Sequence, residues 1–263
     1  THNRGAQVKG YLLTSNKYTL KVCPINIYFL NKYWPNLDVT IVGYEDVLKL
    51  EDLPPNVDVV CVGNQSNFGN SWSDGLIPFF KEIPEEYFTL IFEDHILVNE
   101  VDEDRVEIIE KQFRLKNADK AMIGGGLLLS KSTPLSDDLL LFHQGIMYRT
   151  SLHPSIWTKE YFLKYLKPSM TAWDFELKNP ESMHDGAKII NLNYDGPDDR
   201  VRRGLRPKER HVYSYLELYT KGTLNIDCHG NVRGGLTHQP SSCFFDKETL
   251  KYIWDEIHKG EET

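Results

Sequence analysis

Three short stretches of this chain are apolar almost without interruption, and each ends abruptly at a glycine or a polar turn. They are Asp38-Val-Thr-Ile-Val-Gly43, Val57-Asp-Val-Val-Cys-Val-Gly63 and Tyr87-Phe-Thr-Leu-Ile-Phe92. A strand with one wet face alternates apolar and polar residues, whereas a strand covered on both faces does not. These runs therefore read as parallel strands sandwiched between helices. A fourth apolar run, residues 8–14, stops at Thr14-Ser15-Asn16. Segments of helical character, residues 18–33 and 76–83, separate the strands, with an interruption expected near Pro24. Strand–helix–strand alternation of this kind gives an α/β fold.

The pattern continues beyond residue 100. A helix is expected from about Asp102, with an acidic first turn and Val106, Ile109 and Phe113 on one face. Residues 121–123, 142–151 and 188–192 read as strands. Residues 158–166 read as a helix that stops before Pro168. Thr171-Ala-Trp-Asp174 has the form of a capping box and starts a further short helix. Leu250, Ile253, Trp254 and Ile257 mark a terminal amphipathic helix. No internal repeat or strong linker divides the 263 residues.

Composition narrows the function. Against 38 Asp and Glu stand 30 Lys and Arg, a formal net charge of −8. Such a balance disfavours non-specific binding to nucleic acid or anionic membranes. No run approaches the ~18 apolar residues of a membrane helix, so no membrane span is expected. The opening residues, Thr-His-Asn-Arg-Gly, show no apolar leader segment. Cys23, Cys61, Cys228 and Cys243 form no C-x-x-C pair and read as free thiols of a reducing cytoplasm.

Four places can carry chemistry. The run to Phe92 is followed at once by Glu93-Asp94-His95. Polar groups at the carboxyl end of a strand in an open α/β sheet sit where ligands bind. All three residue types are ligands for a divalent ion such as Mn²⁺. The bland alternative is that Asp94 caps a turn and His95 packs in the core. Asp174 and Glu176 are carboxylates two apart near a helix start, so one can cap the helix while the other faces a cleft as general base. Residues 63–75 are rich in Gly, Asn and Ser, and suit backbone approach to phosphate or sugar oxygens. They match neither the P-loop nor G-x-G-x-x-G. Residues 199–211 gather Arg200, Arg202, Arg203, Arg206 and Arg210, a set suited to phosphate or to local ion pairs. His143, His153, His184 and His229 are scattered, and His229 beside Gly230 is the strongest distant candidate for the site.

On these residues the chain resembles a family of GT-A-fold nucleotide-sugar glycosyltransferases of bacteria and their viruses. The resemblance runs through Leu13-Thr-Ser-Asn-Lys-Tyr18, Tyr33-Trp-Pro-Asn-Leu-Asp-Val-Thr-Ile-Val42, Trp72-Ser-Asp-Gly-Leu76 and residues 85–94. Its most specific piece is residues 151–168, leading to Trp173-Asp-Phe-Glu176. It implies a Rossmann-like, mixed but mainly parallel sheet flanked by helices in one domain, 1–263. About 1–125 would form the nucleotide-sugar half, and about 126–263 the acceptor half with its C-terminal helix.

The resemblance also implies roles. Thr14, Ser15, Asn16 and Tyr18 would lie near the base and ribose. Trp72, Ser73 and Asp74 would line the donor pocket, with Arg200 and Arg203 on the diphosphate. Glu93, Asp94 and His95 would stand in for the D-x-D motif and hold Mn²⁺ or Mg²⁺, with Asp94 either a ligand or a sugar contact. Asp174, then Glu176, would be the base of a direct, inverting displacement from a nucleotide-diphosphate sugar, a UDP-sugar foremost, to an acceptor hydroxyl. The acceptor is a glycan or, alternatively, a modified base in DNA, which the arginine segment favours and the net charge opposes. A non-catalytic nucleotide-sugar-binding domain would need neither Glu93-Asp94 nor Asp174. A sugar-phosphate nucleotidyltransferase would carry a glycine-rich loop after the first strand, which Thr14-Ser-Asn-Lys-Tyr18 lacks.

Overall fold

The computed structural model describes residues 8–97, 100–124, 132–136, 139–192, 215–220, 223–231 and 247–259. The strands are β1 (Gly10–Leu13), β2 (Val39–Gly43), β3 (Val57–Cys61), β4 (Tyr87–Phe92), β5 (His95–Leu97), β6 (Lys120–Met122), β7 (Ser132–Pro134), β8 (Leu139–Phe142), β9 (Ser155–Thr158), β10 (Ile189–Leu192), β11 (Tyr215–Glu217), β12 (Tyr219–Thr220) and β13 (Thr223–Leu224). The helices are α1 (Asn16–Tyr33), α2 (Ser73–Glu82), α3 (Glu103–Leu115), α4 (Lys159–Tyr165), α5 (Ala172–Leu177) and α6 (Lys247–Ile257).

Nine strands form one sheet in the order β3-β2-β1-β4-β9-β6-β10-β8-β7. The first four are mutually parallel. Strand β9 lies antiparallel between β4 and β6, β10 returns parallel to β6, and β8 and β7 close the edge antiparallel. The sheet is thus mixed and mainly parallel, and it runs unbroken through both halves of the chain.

Its strands are apolar on both faces because both are covered. Leu12, Val39, Ile41 and Ile91 pack into a layer with α1, α3 and α6. Tyr11, Leu13, Val42, Phe88 and Leu90 point the other way, into a layer with α2, α4 and α5. Neighbours in one strand thereby enter opposite cores, as the period of two requires.

Two expectations need correction. Helix α1 is continuous through Pro24. Pro24 is exposed, so the hydrogen bond it cannot donate is lost on the solvent side. Residues 142–151 are not a strand. After Phe142 the chain turns through Gly145 (φ 81°) and Tyr148 (φ 65°). This loop is organised around the buried Arg149, whose guanidinium donates to the carbonyls of Ser182, His143 and Ala187 at 2.8, 2.8 and 2.6 Å. The strand that does pass through this region, β9, lies just beyond it. No helix among the described residues is long and apolar enough to cross a membrane. Cys23, Cys61 and Cys228 are free thiols, whereas Cys243 and the arginine segment 199–211, with Arg200 and Arg203, lie outside the described residues.

Candidate active site

The carboxyl ends of β1, β2, β3 and β4 point to one edge, so the segments that follow them meet there. Thr14 N–H donates to Val42 O, Val62 N–H to Gly43 O and Glu93 N–H to Leu13 O. The segments are then cross-linked by side chains. Gln65 Oε1 accepts from Asn16 N–H at 2.8 Å, Asn16 Oδ1 from Asp46 N–H at 3.2 Å, and Glu45 Oε2 from Gln65 N–H at 2.7 Å. Gln65 lies in the 63–75 loop already marked by its composition, whereas Glu45 looks like an ordinary loop residue in the sequence. Thr14 is buried, its hydroxyl 3.0 Å from that of Thr19 on α1. Ser15 caps α1 with no hydrogen bond from its side chain. Tyr18 packs against Tyr219, ring centroids 4.9 Å apart.

Trp72, Ser73 and Asp74 start α2. Trp72 stacks near Phe92 and meets Phe175 edge-on, at 5.9 and 5.7 Å. Ser73 Oγ accepts from Met170 N–H at 2.9 Å, and Asp74 Oδ1 from Ser169 N–H at 2.7 Å. Two of the three expected donor contacts therefore also fasten the loop that leads into α5.

Glu93 and Asp94 form the turn between β4 and β5, and His95 opens β5. Burial raises Glu93 well above the usual carboxylate range, and the charge of Asp94 adds to it. Asp94 is pushed up to about 7 by burial, with the charges of Glu217 and Glu176 acting in the same direction. His95 is held well below its ordinary value by burial and by His153. The two imidazoles are nearly parallel, 6.1 Å apart. His95 Nε2 is 3.9 Å from Asp94 Oδ1. Glu217, opposite His95 in the β5–β11 ladder, and His153, just before β9, join the site only through the tertiary fold.

These three consecutive residues do not converge. Among the described residues, no three His, Cys, Asp or Glu side chains gather as ligands of one ion. The donor chemistry nevertheless fits a hard divalent cation held by one or two carboxylates and completed by substrate phosphates, the usual manner of Mg²⁺. Asp94, partly buried among like charges, is the group such a cation would relieve most.

The two carboxylates of α5 have separate environments. Asp174 is a capping residue: Thr171 N–H donates to its Oδ2 at 2.9 Å, Thr171 Oγ1 accepts from its N–H at 3.1 Å, and Lys178 Nζ lies 2.6 Å from its Oδ1. The Lys178 ammonium, then the Thr171 donors, lower it to about 2. Glu176 faces inward. Its Oε1 accepts from Leu152 N–H at 2.6 Å. Burial raises its pKa, against the pull of that N–H and of the Lys120 charge. Lys120 is itself fully buried, its Nζ on the carbonyls of Arg149 and Ser151 at 3.2 and 2.6 Å and 4.2 Å from the centre of the Trp157 ring. His229 sits in a turn built on Asp227, which accepts from its N–H at 2.8 Å.

No protein-family model matches the chain, and no curated protein sequence does. Among solved structures, residues 1–349 of S. aureus TarS share 14 % identity with a TM-score of 0.45, covering 70 % of this chain and 58 % of that one. A UDP-glucose pyrophosphorylase complexed with UDP-glucose shares 11 % identity with a TM-score of 0.47, covering 72 % of this chain and 92 % of that one. A CMP:2-keto-3-deoxy-manno-octonic acid synthetase complexed with CTP shares 11 % identity with a TM-score of 0.42, covering 76 % and 98 %. The chain thus spans 58 % of the TarS fragment's length.

Proposed function

We propose that this chain transfers a sugar from a nucleotide diphosphate, a UDP-sugar foremost, to an acceptor hydroxyl, with Glu176 as the general base. The observation that carries this reading is the placement of Glu93 and Asp94 directly after β4 at the carboxyl edge of four parallel strands, where the charge of Glu176 also acts on Asp94, beside loops with the polar side chains a nucleotide needs. In the proposed site, Thr14, Ser15, Asn16 and Tyr18 face the base and ribose, and Trp72 walls the donor sugar. Arg200 and Arg203 remain the sequence's candidates for the diphosphate.

Glu176 is favoured over Asp174 on chemical grounds. A carboxylate lowered to about 2 and engaged by the Lys178 ammonium and the Thr171 N–H is a weak base. One raised by burial lies nearer the working pH and accepts a proton more readily. In the proposed step Glu176 removes the acceptor hydroxyl proton as its oxygen attacks the anomeric carbon. The bond from that carbon to the diphosphate breaks, and the diphosphate departs with the electron pair. Attack opposite the leaving group inverts the anomeric centre. Asp94, with Glu93 or Glu217 beside it, would hold Mn²⁺ or Mg²⁺, which when bound supplies positive charge to the leaving diphosphate.

The test is release of nucleoside diphosphate from a panel of nucleotide-sugars by wild-type protein, Glu176→Gln and Asp174→Asn. Loss of a general base removes about two to four orders of magnitude in turnover. We expect that loss in Glu176→Gln, with donor affinity retained, and near wild-type turnover in Asp174→Asn. The reverse pattern would return the role to Asp174. A donor bound but never turned over by wild-type protein, with any acceptor class, would leave a binding domain.

A further inference from the structure

Helix α1 packs its apolar face on the sheet, yet Thr19, Cys23 and Asn26, at i, i+4 and i+7, are wholly buried there. Thr19 reaches the loop after β1, its Oγ1 donating to Ser15 O at 2.9 Å and lying 3.0 Å from Thr14 Oγ1. Glu93 acts on Cys23, whose thiol is pushed up chiefly by burial and further by that charge. One turn on, the Asn26 amide nitrogen meets three carbonyls, Phe92 O at 3.1 Å, Glu93 O at 2.8 Å and His95 O at 3.2 Å. An amide has two N–H donors, so at least one is shared. Its own Oδ1 is buried with no hydrogen-bond partner among the described residues.

A buried asparagine in the middle of a helix is disfavoured by propensity, and its unpartnered buried oxygen adds a further cost. What it achieves is the satisfaction of the β4–β5 turn. The remaining turn bonds come from elsewhere: Glu93 N–H donates to Leu13 O and Asp94 O accepts from Leu218 N–H. Three of the turn's four consecutive carbonyls thus depend on one side chain, and the fourth on the segment after β11.

We propose that Asn26 is the positioning residue of the site: it fixes the backbone of the turn that presents Glu93, Asp94 and His95. It touches no reacting atom and acts through that turn. Its consequence for nucleotide binding rests on the proposed function above, whereas its effect on the turn does not.

The test pairs Asn26→Ala with Leu30→Ala, a core truncation on the same buried face of α1. Amide hydrogen exchange is read residue by residue, and affinity for UDP with Mn²⁺ is measured on the same samples. We expect Asn26→Ala to speed exchange across residues 94–97 by an order of magnitude while β2 and β3 keep their protection, and to weaken UDP–Mn²⁺ binding by a similar factor. Leu30→Ala should change exchange evenly along α1 and its contacts and leave affinity near wild type. Even exchange changes in both variants would overturn the proposal. So would local loosening with unaltered affinity in a protein that binds UDP. If the wild-type protein binds no nucleotide but Asn26→Ala still loosens only the turn, the positioning role stands and the nucleotide reading falls. Should Asn26→Ala fail to fold, Asn26→Ser is read in its place, since its short hydroxyl can bond within its own helix.

Discussion

Asp94 and Glu93 carry protons in the folded protein at pH values where the unfolded chain has released them. The unfolded value is about 4, and Asp94 rises to about 7. Between these limits the native state binds more protons than the unfolded one, so stability falls as pH rises. We therefore expect the melting temperature to decline from about pH 4 to about pH 7, and Asp94→Asn to flatten that decline. A cation at Asp94 competes with its proton, so Mn²⁺ should stabilise wild-type protein more at neutral than at acidic pH. Asp174 has the opposite sign. Its lowered value makes its carboxylate stabilising above about pH 4, and that contribution is lost as pH falls towards about 2. At this scale the sequence was least legible. Asp174 and Glu176 are two residues apart and chemically alike, and only burial and the Lys178 pairing separate them. Asn26 looked like an ordinary helix residue, and Glu217 and His153 reach the site through contacts distant in sequence.

Elements were more legible where periodicity was strong. Strands β1 to β4 and helices α2, α3, α4 and α6 fall close to where the apolar pattern puts them. Strand β9 did not announce itself: Ser155 to Thr158 is short, follows a proline, and is held in place by pairing with β4 and β6 on either side. The loop at 142–151 looked like a strand because its apolar residues cluster. The buried Arg149 guanidinium and the positive φ at Gly145 and Tyr148 decide otherwise. Two predictions belong here. Thr171→Ala removes the N-cap of α5 and should lower stability by about 1 kcal/mol in chemical denaturation. It should also reduce turnover, because α5 carries Glu176. A Cβ at Gly43 would lie 2.5 Å from Val47 Cγ1 and 2.7 Å from Thr14 Cγ2. Gly43→Ala should therefore cost about 1–3 kcal/mol by overpacking, and should shift Thr14 enough to weaken nucleotide binding.

The whole molecule is an α/β sandwich whose mainly parallel sheet collects its loops at one edge. That much followed from the unbroken apolar runs, because strands buried on both faces require helices on both sides. Which side chains the edge would gather did not follow. The pattern fixed the ends of the strands but not the approach of α5, β11 and the residue-150 segment from the second half of the chain. In the proposed function this edge binds a nucleotide diphosphate through Asp94. The most direct measurement is thermal stability against a panel of nucleotides and nucleotide-sugars, with and without Mn²⁺, for wild-type protein and Asp94→Asn. A ligand at about 100 times its Kd adds about 2.7 kcal/mol, a readable shift. Stabilisation by one nucleotide family is expected, enhanced by Mn²⁺ in wild-type protein and not in Asp94→Asn. Absence of a shift with every nucleotide, in the presence and absence of metal, would contradict it.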